Sequence, residues 1–166
     1  MAYSVIIPIY NEVRTLPKLI TQLKSIEYYA EIIIIDDGSN DGSEEILENN
    51  RNKNLLVFKT GKNLGKGAAI KIGILHSSNE HIILADGDLE IDIEEIPSLI
   101  EKYEKSKKNI LTGVRTPDDN HNRFGIDRFG NYIINIIFNK IYSTNLKDIL
   151  CCIKIINKNL IKSLDI

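Results

Sequence analysis

The 166-residue sequence has only two cysteines, Cys151 and Cys152, and no tryptophan. Adjacent thiols cannot link distant parts of a chain, which excludes a disulfide-stabilised framework and favours a reduced compartment. The first residues show neither the basic start nor the apolar stretch of a signal peptide. No apolar run approaches the roughly 20 residues that span a bilayer. We therefore expect a cytoplasmic protein that is at most peripheral to the cytoplasmic face of a membrane.

Neither sign of charge dominates, because 21 basic residues stand against 23 acidic ones and the formal net charge is -2. Basic residues interleaved with aromatic ones are too few for a nucleic-acid-binding face, so no nucleic-acid partner is expected. Hydrophobic residues make up 43% of the chain, which is enough for a buried core. The length favours a single domain over residues 1–166.

Short apolar runs alternate with segments of helical period, which predicts an α/β fold with a mostly parallel central sheet flanked by helices. Strands are expected at 4–8, 31–35, 55–58, 81–85 and 109–113, with a further one at 149–156. Helices are expected at 16–23, 41–49, 65–76, 93–103 and 128–142, with Asp41 or Asn40 capping the second. The polar composition of residues 116–127 predicts a loop. The apolar side chains of the last helix are expected mostly in the core, with contact to a membrane surface as the alternative.

A polar, acidic or glycine-rich segment follows each of the first five predicted strands. Parallel strands end at one edge of a sheet, and ligands of open α/β sheets bind at that edge. The segments are Pro8-Ile9-Tyr10-Asn11-Glu12, Asp36-Asp37-Gly38-Ser39, residues 61–67, Asp86-Gly87-Asp88-Leu89-Glu90 and Gly113-Val114-Arg115. Five such segments in a row predict a functional site there.

Three carboxylates, those of Asp86, Asp88 and Glu90, follow the fourth strand. Such hard oxygen ligands suit Mg²⁺ or Mn²⁺, which often takes one or two carboxylates plus substrate phosphates. In isolation the segment is more often a solvated acidic turn that caps the next helix. Its position opposite Asp36 and Asp37 favours a metal site, because converging carboxylates repel one another unless a cation neutralises them. Gly87 would let a ligand approach the backbone closely.

Lys66 lies between two glycines at the predicted start of the third helix, where backbone amides and the helix dipole attract anions. The spacing matches neither a P-loop nor a dinucleotide-binding pattern, so a tight turn is the alternative interpretation. Arg115 and Lys154 are candidate cations for anionic substrate oxygens, with a solvated surface role as the alternative. No Ser-His-Asp or Cys-His arrangement is evident.

In this order, the motifs resemble the family 2 glycosyltransferases of GT-A fold, and among them the polyprenyl-phosphate sugar transferases, such as those that act on dolichyl or undecaprenyl phosphate. The matching segments are residues 4–12, 34–43, 63–69, 86–90 and 112–115, and the resemblance extends over residues 3–164. It implies a Rossmann-like GT-A sandwich and a donor of the GDP-mannose or UDP-glucose type. The implied acceptor is a lipid phosphate or a glycan, as in cell-envelope or glycan biosynthesis.

The resemblance also implies roles for individual residues. The residues assigned to the donor nucleotide are Pro8, Tyr10, Asn11, Glu12, Asp37, Gly38, Lys66, Asp86 and Gly87, with Pro8, Tyr10, Glu12 and Asp37 at the nucleoside. Asp86, Asp88 and Glu90 would bind the Mg²⁺ or Mn²⁺ that bridges the diphosphate. Arg115 and Lys154 would face the diphosphate or the acceptor phosphate.

Two features depart from the family pattern. Cys152 and Ile153 stand where the family has a glycine and an aromatic residue, and relatives usually continue well beyond residue 166. The expected chemistry is inverting sugar transfer, with Asp88 among the catalytic groups. A phosphate acceptor is already ionised at neutral pH and needs no general base, whereas a hydroxyl acceptor would need one, for which Asp148 is the candidate.

Three other functions remain open at this point. The chain could transfer a sugar to a hydroxyl of a glycan or polysaccharide, in which case activity would depend on Asp148. It could be a degenerate module that binds a sugar nucleotide without turnover. A nucleotidyltransferase on a related fold is the least favoured, because residues 8–12 lack its glycine- and basic-rich signature.

Overall fold

The computed structural model describes residues 2–26, 30–89, 93–114 and 125–163. Within them the strands are β1 (Tyr3–Ile9), β2 (Ala30–Asp36), β3 (Leu55–Lys59), β4 (His81–Leu84), β5 (Ile110–Thr112) and β6 (Lys154–Asn157). The helices are α1 (Leu16–Ile26), α2 (Ser43–Glu48), α3 (Lys66–His76), α4 (Ile96–Ser106, after a 3₁₀ turn at Ile93–Glu95), α5 (Gly125–Tyr142) and α6 (Lys158–Ser163).

The strands form one sheet in the order β3-β2-β1-β4-β6-β5. β1 is parallel to β2 and β4, and β2 is parallel to β3. β6 is antiparallel to both β4 and β5, so β5 runs in the same direction as the first four strands. The expectation of a mostly parallel sheet is therefore confirmed. The carboxyl ends of β1 to β5 share one edge, and the chain enters β6 at that edge.

Both faces of the sheet are covered, as the continuous isoleucine run of β2 predicts. Ile32 and Ile34 point to a core shared with α1, α2 and α4, whereas Ile33 points to a second core shared with α3. The helix α3 packs closely on β1, because a Cβ at Gly73 would lie 2.4 Å from Ile6 Cγ2. Only a residue without a side chain allows this approach.

Two local predictions were wrong. The residue that precedes α2 is Gly42, with φ 98° and no side-chain cap, while Asp41 accepts hydrogen bonds from Ser43 and from the Val13 amide. Asp41 thus bonds across to the loop after β1 instead of capping the helix. The last strand is shorter than expected, because its pairing with β4 begins only at Lys154, and the short helix α6 follows it.

None of the apolar side chains described for α5, at residues 130–142, lies in the core, which corrects the prediction for this part of the helix. The exposed apolar side chains are Tyr132, Ile133, Ile134, Ile136, Ile137, Ile141 and Tyr142, with exposed fractions of 38% to 67%. The helix instead directs two side-chain amides toward the segment that follows it. Asn135 donates to the Lys147 carbonyl and Asn139 to the Leu146 carbonyl, over 3.2 and 2.9 Å. In the described parts of the chain, no helix combines the length and apolarity needed to cross a membrane.

Candidate functional site

A cleft of about 310 Å³ opens at the carboxyl edge of the sheet. Its walls come from the ends of β1, β2 and β4 and from the loop before α3. The lining residues are Pro8, Ile9, Tyr10, Glu12, Asp37, Asn63, Gly65, Lys66, Asp86, Gly87 and Asp88. Of the residues predicted to bind the donor nucleotide, all but Asn11 and Gly38 line this cleft. The structure thus brings them together, while their binding roles stay predictions.

The loops after β1 and β2 are joined by hydrogen bonds between backbone amides and short polar side chains. The Asn11 amide donates to Ser39 Oγ, and the Asn40 amide donates to Asn11 Oδ1, both over 2.9 Å. Asn11 has φ 57°, a left-handed conformation that asparagine tolerates better than most residues. Asp41 adds the bond to the Val13 amide, over 2.9 Å. These bonds fix the wall that the end of β1 forms.

Sequence reasoning placed Ser39 in a segment of the predicted site and Asp41 or Asn40 at a helix start, but it did not predict that these residues bond to the loop after β1. The signal was present as a run of small polar residues directly after a strand. Such side chains bond readily to nearby backbone amides. What the pattern does not show is that their partners lie about 28 residues away in the sequence, as in the bond between Asn11 and Ser39.

Asp37 connects the end of β2 to the loop before α3. Its buried carboxylate accepts hydrogen bonds from the Leu64 and Gly65 amides, over 3.0 and 2.8 Å, and from Thr60 Oγ1 over 3.0 Å. The next residue, Gly38, has φ 78°, and a Cβ there would lie 2.5 Å from the backbone of the same loop. The carboxylate therefore helps to hold this wall, and the glycine allows the wall to sit close.

The end of β4 carries the acidic side of the cleft. Lys66 Nζ lies 2.6 Å from each carboxylate oxygen of Asp86, and the side chains are 57% and 20% exposed. Asp88 follows at the same end of the cleft. Leu89 has φ 62°, an unfavourable conformation for leucine, and its side chain packs against the core. Packing of Leu89 therefore holds the acidic turn in a strained but defined shape.

The residues present fit a divalent cation. Four carboxylates and one ammonium line the cleft, so an entering diphosphate would meet net negative charge. Asp86 and Asp88 offer the one or two hard oxygen ligands that Mg²⁺ commonly takes, with other positions left for phosphate and water. Glu90, the predicted third ligand, lies outside the described residues. Among those described, no three His, Cys, Asp or Glu side chains converge as a complete metal cage.

Cys152 lies against the turn that carries Asp86. Burial of the thiol, followed by the negative charge of Asp86, raises the pKa of Cys152 to about 12, while a hydrogen bond with the Asp86 backbone opposes the shift. The thiol is therefore neutral at physiological pH. The residue that departs from the family pattern thus contacts the acidic segment directly, which the sequence did not reveal.

The remaining predicted catalytic residues are not assembled with the cleft. Lys154 donates its ammonium to the Cys151 carbonyl, and Asp148 is 9% exposed and accepts a hydrogen bond from the Leu150 amide. Neither is a lining residue of the described cleft. Arg115 lies outside the described residues, as does most of the predicted loop at 116–127. The roles of these three residues in catalysis stay predictions.

Comparison with known proteins gives a family match over nearly the whole chain. The profile described as Glycosyl transferase family 2 matches residues 4–165. The undecaprenyl-phosphate 4-deoxy-4-formamido-L-arabinose transferase of Salmonella choleraesuis (strain SC-B67) is 30% identical over 168 residues, which cover 97% of this chain and 50% of the relative. The protein of the same name from Proteus mirabilis (strain HI4320) is 29% identical over 168 residues, which again cover 97% of this chain and 50% of the relative. The chain thus spans about half the length of these curated relatives.

Solved structures of GT-A glycosyltransferases share the fold. Glucosyl-3-phosphoglycerate synthase of Mycobacterium tuberculosis with UDP has a TM-score of 0.75 at 16% identity, covering 98% of this chain and 58% of that one. S. aureus TarS 1-349 in complex with UDP-GlcNAc has a TM-score of 0.70 at 22% identity, and the match covers 100% of this chain and 48% of that one. Mannosyltransferase PcManGT from Pyrobaculum calidifontis in complex with GDP-Man and Mn²⁺ has a TM-score of 0.69 at 15% identity, and the match covers 98% of this chain and 46% of that one. At such identities the similarity concerns the fold alone.

Proposed function

The chain belongs to glycosyl transferase family 2, and from this premise we propose that it moves a sugar from a nucleotide-diphosphate sugar to a polyprenyl phosphate. The observation that carries the proposal is the single cleft in which Asp86 and Asp88 face the end of β1. A nucleoside bound against Pro8 and Tyr10 would extend its diphosphate toward the two carboxylates. This is the arrangement that activation of a nucleotide-sugar donor requires.

The donor half of the mechanism follows from the lining residues. Tyr10, 44% exposed, offers an aromatic face on which a nucleobase can stack. Asp86 and Asp88 would hold Mg²⁺ or Mn²⁺, and Glu90 is assigned to the same ion by the family resemblance. When bound, that ion supplies positive charge against the charge that develops on the departing diphosphate. The first turn of α3, with Lys66, adds amide groups and an ammonium on the same side.

The acceptor half favours a phosphate over a hydroxyl. A phosphate monoester carries about −1.5 to −2 charges at pH 7, so its oxygen can attack the anomeric carbon without losing a proton. The new oxygen–carbon bond forms as the bond to the diphosphate breaks, which inverts the anomeric configuration and releases the nucleoside diphosphate. A hydroxyl acceptor would need a base, and Asp148 is buried with its carboxylate on the Leu150 amide. The two similar transferases from Salmonella choleraesuis and Proteus mirabilis are also named for undecaprenyl phosphate.

The exposed side of α5 supports a membrane-bound acceptor. The helix also carries exposed Lys140, and exposed Lys147 follows it in the chain; both charges suit an anionic lipid surface. Asn135 and Asn139 tie the helix to the segment that leads to Cys152, beside the acidic turn. We place α5 on the cytoplasmic face of a membrane, where it would keep the cleft near a lipid phosphate.

Radiolabelled transfer tests the proposed reaction. The chain is incubated with labelled UDP-glucose or GDP-mannose, with undecaprenyl phosphate in detergent, and with Mn²⁺ or EDTA. We expect label in the lipid fraction with one donor, in the presence of Mn²⁺ only. Label transferred to added soluble sugars, and not to the lipid, would contradict the phosphate acceptor. Release of free sugar in every arm, without transfer, would contradict the transferase function of this chain.

Vesicle sedimentation tests the role of α5. Ile137 and Ile141 are 51% and 67% exposed, so replacing both by serine removes apolar surface without opening the core. We expect binding to vesicles that contain phosphatidylglycerol to weaken by about 30-fold, since each half-exposed isoleucine contributes about 1 kcal/mol on burial and the pair about 2 kcal/mol. The matched control is Leu75→Ser, which changes a 73% exposed side chain on α3. Equal losses in the two variants would contradict the placement of α5 on the membrane.

A further inference from the structure

Lys66 occupies the position at which a cation is needed. Its ammonium lies 2.6 Å from both oxygens of Asp86, so the two groups form a bidentate ion pair. The pair joins the first residue of α3 to the end of β4, 20 residues further along the chain. The Lys66 side chain is 57% exposed, so it can leave the carboxylate without opening the core.

The same carboxylate oxygens are the ones that the proposed function assigns to a divalent cation. An ammonium at 2.6 Å from both oxygens occupies the space in which a metal ion would coordinate them. Two cations at that distance from one carboxylate would also repel each other. Binding of the metal at Asp86 therefore requires that Lys66 move away.

We propose that Lys66 is a built-in counter-ion of Asp86, which a divalent cation displaces when the site is loaded. In the metal-free protein the ammonium reduces repulsion among the carboxylates of the cleft. After displacement it is free at the start of α3, on the wall where the diphosphate would lie. The first step, displacement of Lys66 by the metal, depends only on the metal and on Asp86. The second step, contact of the displaced ammonium with the diphosphate, rests on the proposed function.

The test measures Mn²⁺ binding without nucleotide, followed through the paramagnetic resonance signal of free Mn²⁺. The variants are Lys66→Met, which removes the ammonium, and Lys66→Arg, which keeps a positive charge. The matched control is Lys71→Met, because Lys71 is exposed on the same helix and its loss changes the net charge equally. A second titration adds UDP or GDP at saturating Mn²⁺.

We expect Lys66→Met to bind Mn²⁺ about three- to fivefold more tightly than Lys71→Met, as the loss of a partly exposed competing ion pair implies. Lys66→Arg should stay near the wild type. Affinity of Lys66→Met for the nucleotide should fall about tenfold, since a charged hydrogen-bond donor to the diphosphate is lost. Damage to the fold cannot produce the first effect, because it would weaken metal binding.

Equal Mn²⁺ affinities of Lys66→Met and Lys71→Met would overturn the counter-ion role. Tighter Mn²⁺ binding with unchanged nucleotide affinity would overturn the second step. If the wild type binds neither UDP nor GDP with Mn²⁺ present, the proposed donor site fails, and the Mn²⁺ titration alone still decides whether Lys66 competes with a metal.

Discussion

Replacing Asp88 by asparagine is expected to lower the rate of sugar transfer at least about 100-fold, because Asp88 would hold the ion that stabilises charge in the transition state. The substitution keeps the shape of the side chain and removes its charge. Asp88 lines the cleft beside Asp86, so its loss leaves one described carboxylate at the end of β4. The response of donor binding to Mn²⁺ should then be much weaker than in the wild type.

The measurement is a calorimetric titration of the nucleotide sugar with Mn²⁺ or EDTA, together with the radiolabelled assay. Glu45→Gln is the matched control, because it removes one carboxylate charge from the exposed side of α2, away from the cleft. If Asp88→Asn binds the donor with an undiminished response to Mn²⁺, the assignment of Asp88 to the metal is wrong. A parallel loss in Glu45→Gln would mean that net charge, and not the site, governs binding.

Replacing Gly38 by alanine is expected to destabilise the fold by about 3 kcal/mol. A left-handed φ of 78° accounts for about 1 kcal/mol of this for a residue with a Cβ. The remainder comes from the Cβ itself, which would lie 2.5 Å from the Lys62 carbonyl carbon and 2.8 Å from the Asn63 amide nitrogen. A backbone cannot yield as a flexible side chain can, so the loop must move, at a cost of about 1–3 kcal/mol.

Gly61→Ala separates the two contributions. Gly61 has φ 73°, close to that of Gly38, but a Cβ there meets nothing within 4 Å. Urea unfolding should therefore show a loss of about 1 kcal/mol for Gly61→Ala and a loss about 2 kcal/mol larger for Gly38→Ala. The displaced loop carries Asn63 and Gly65, so donor affinity should fall only in Gly38→Ala. Equal losses of stability would show that contact with the loop is unimportant.

Much of the sheet is predictable from local pattern. The uninterrupted isoleucines at 32–35 can be buried only if helices cover both faces of the strand. In the structure, helices pack on both faces. The polar segments after β1, β2 and β4 meet in one cleft because parallel strands deliver their ends to the same edge. Strand periodicity and direction are therefore enough to place Tyr10, Asp37 and Asp86 together.

The features that the sequence does not predict depend on contacts between distant segments. The bonds of Asp37 to the Leu64 and Gly65 amides join residues about 27 positions apart, and no short pattern encodes such a pairing. Hydrophobic periodicity likewise shows that α5 has apolar side chains but not what covers them. The structure leaves seven of the described apolar side chains exposed and uses Asn135 and Asn139 for the intramolecular contacts.

The carboxylate of Asp37 has a consequence for the dynamics of the loop before α3. Leu64 is 46% exposed, and exposed loop amides ordinarily exchange their hydrogens with solvent quickly. The amides of Leu64 and Gly65 are instead held by a buried acceptor, so hydrogen exchange at both is coupled to opening of the link between β2 and this loop. The exchange rates of these two amides therefore report how often this wall of the cleft opens when no ligand is bound.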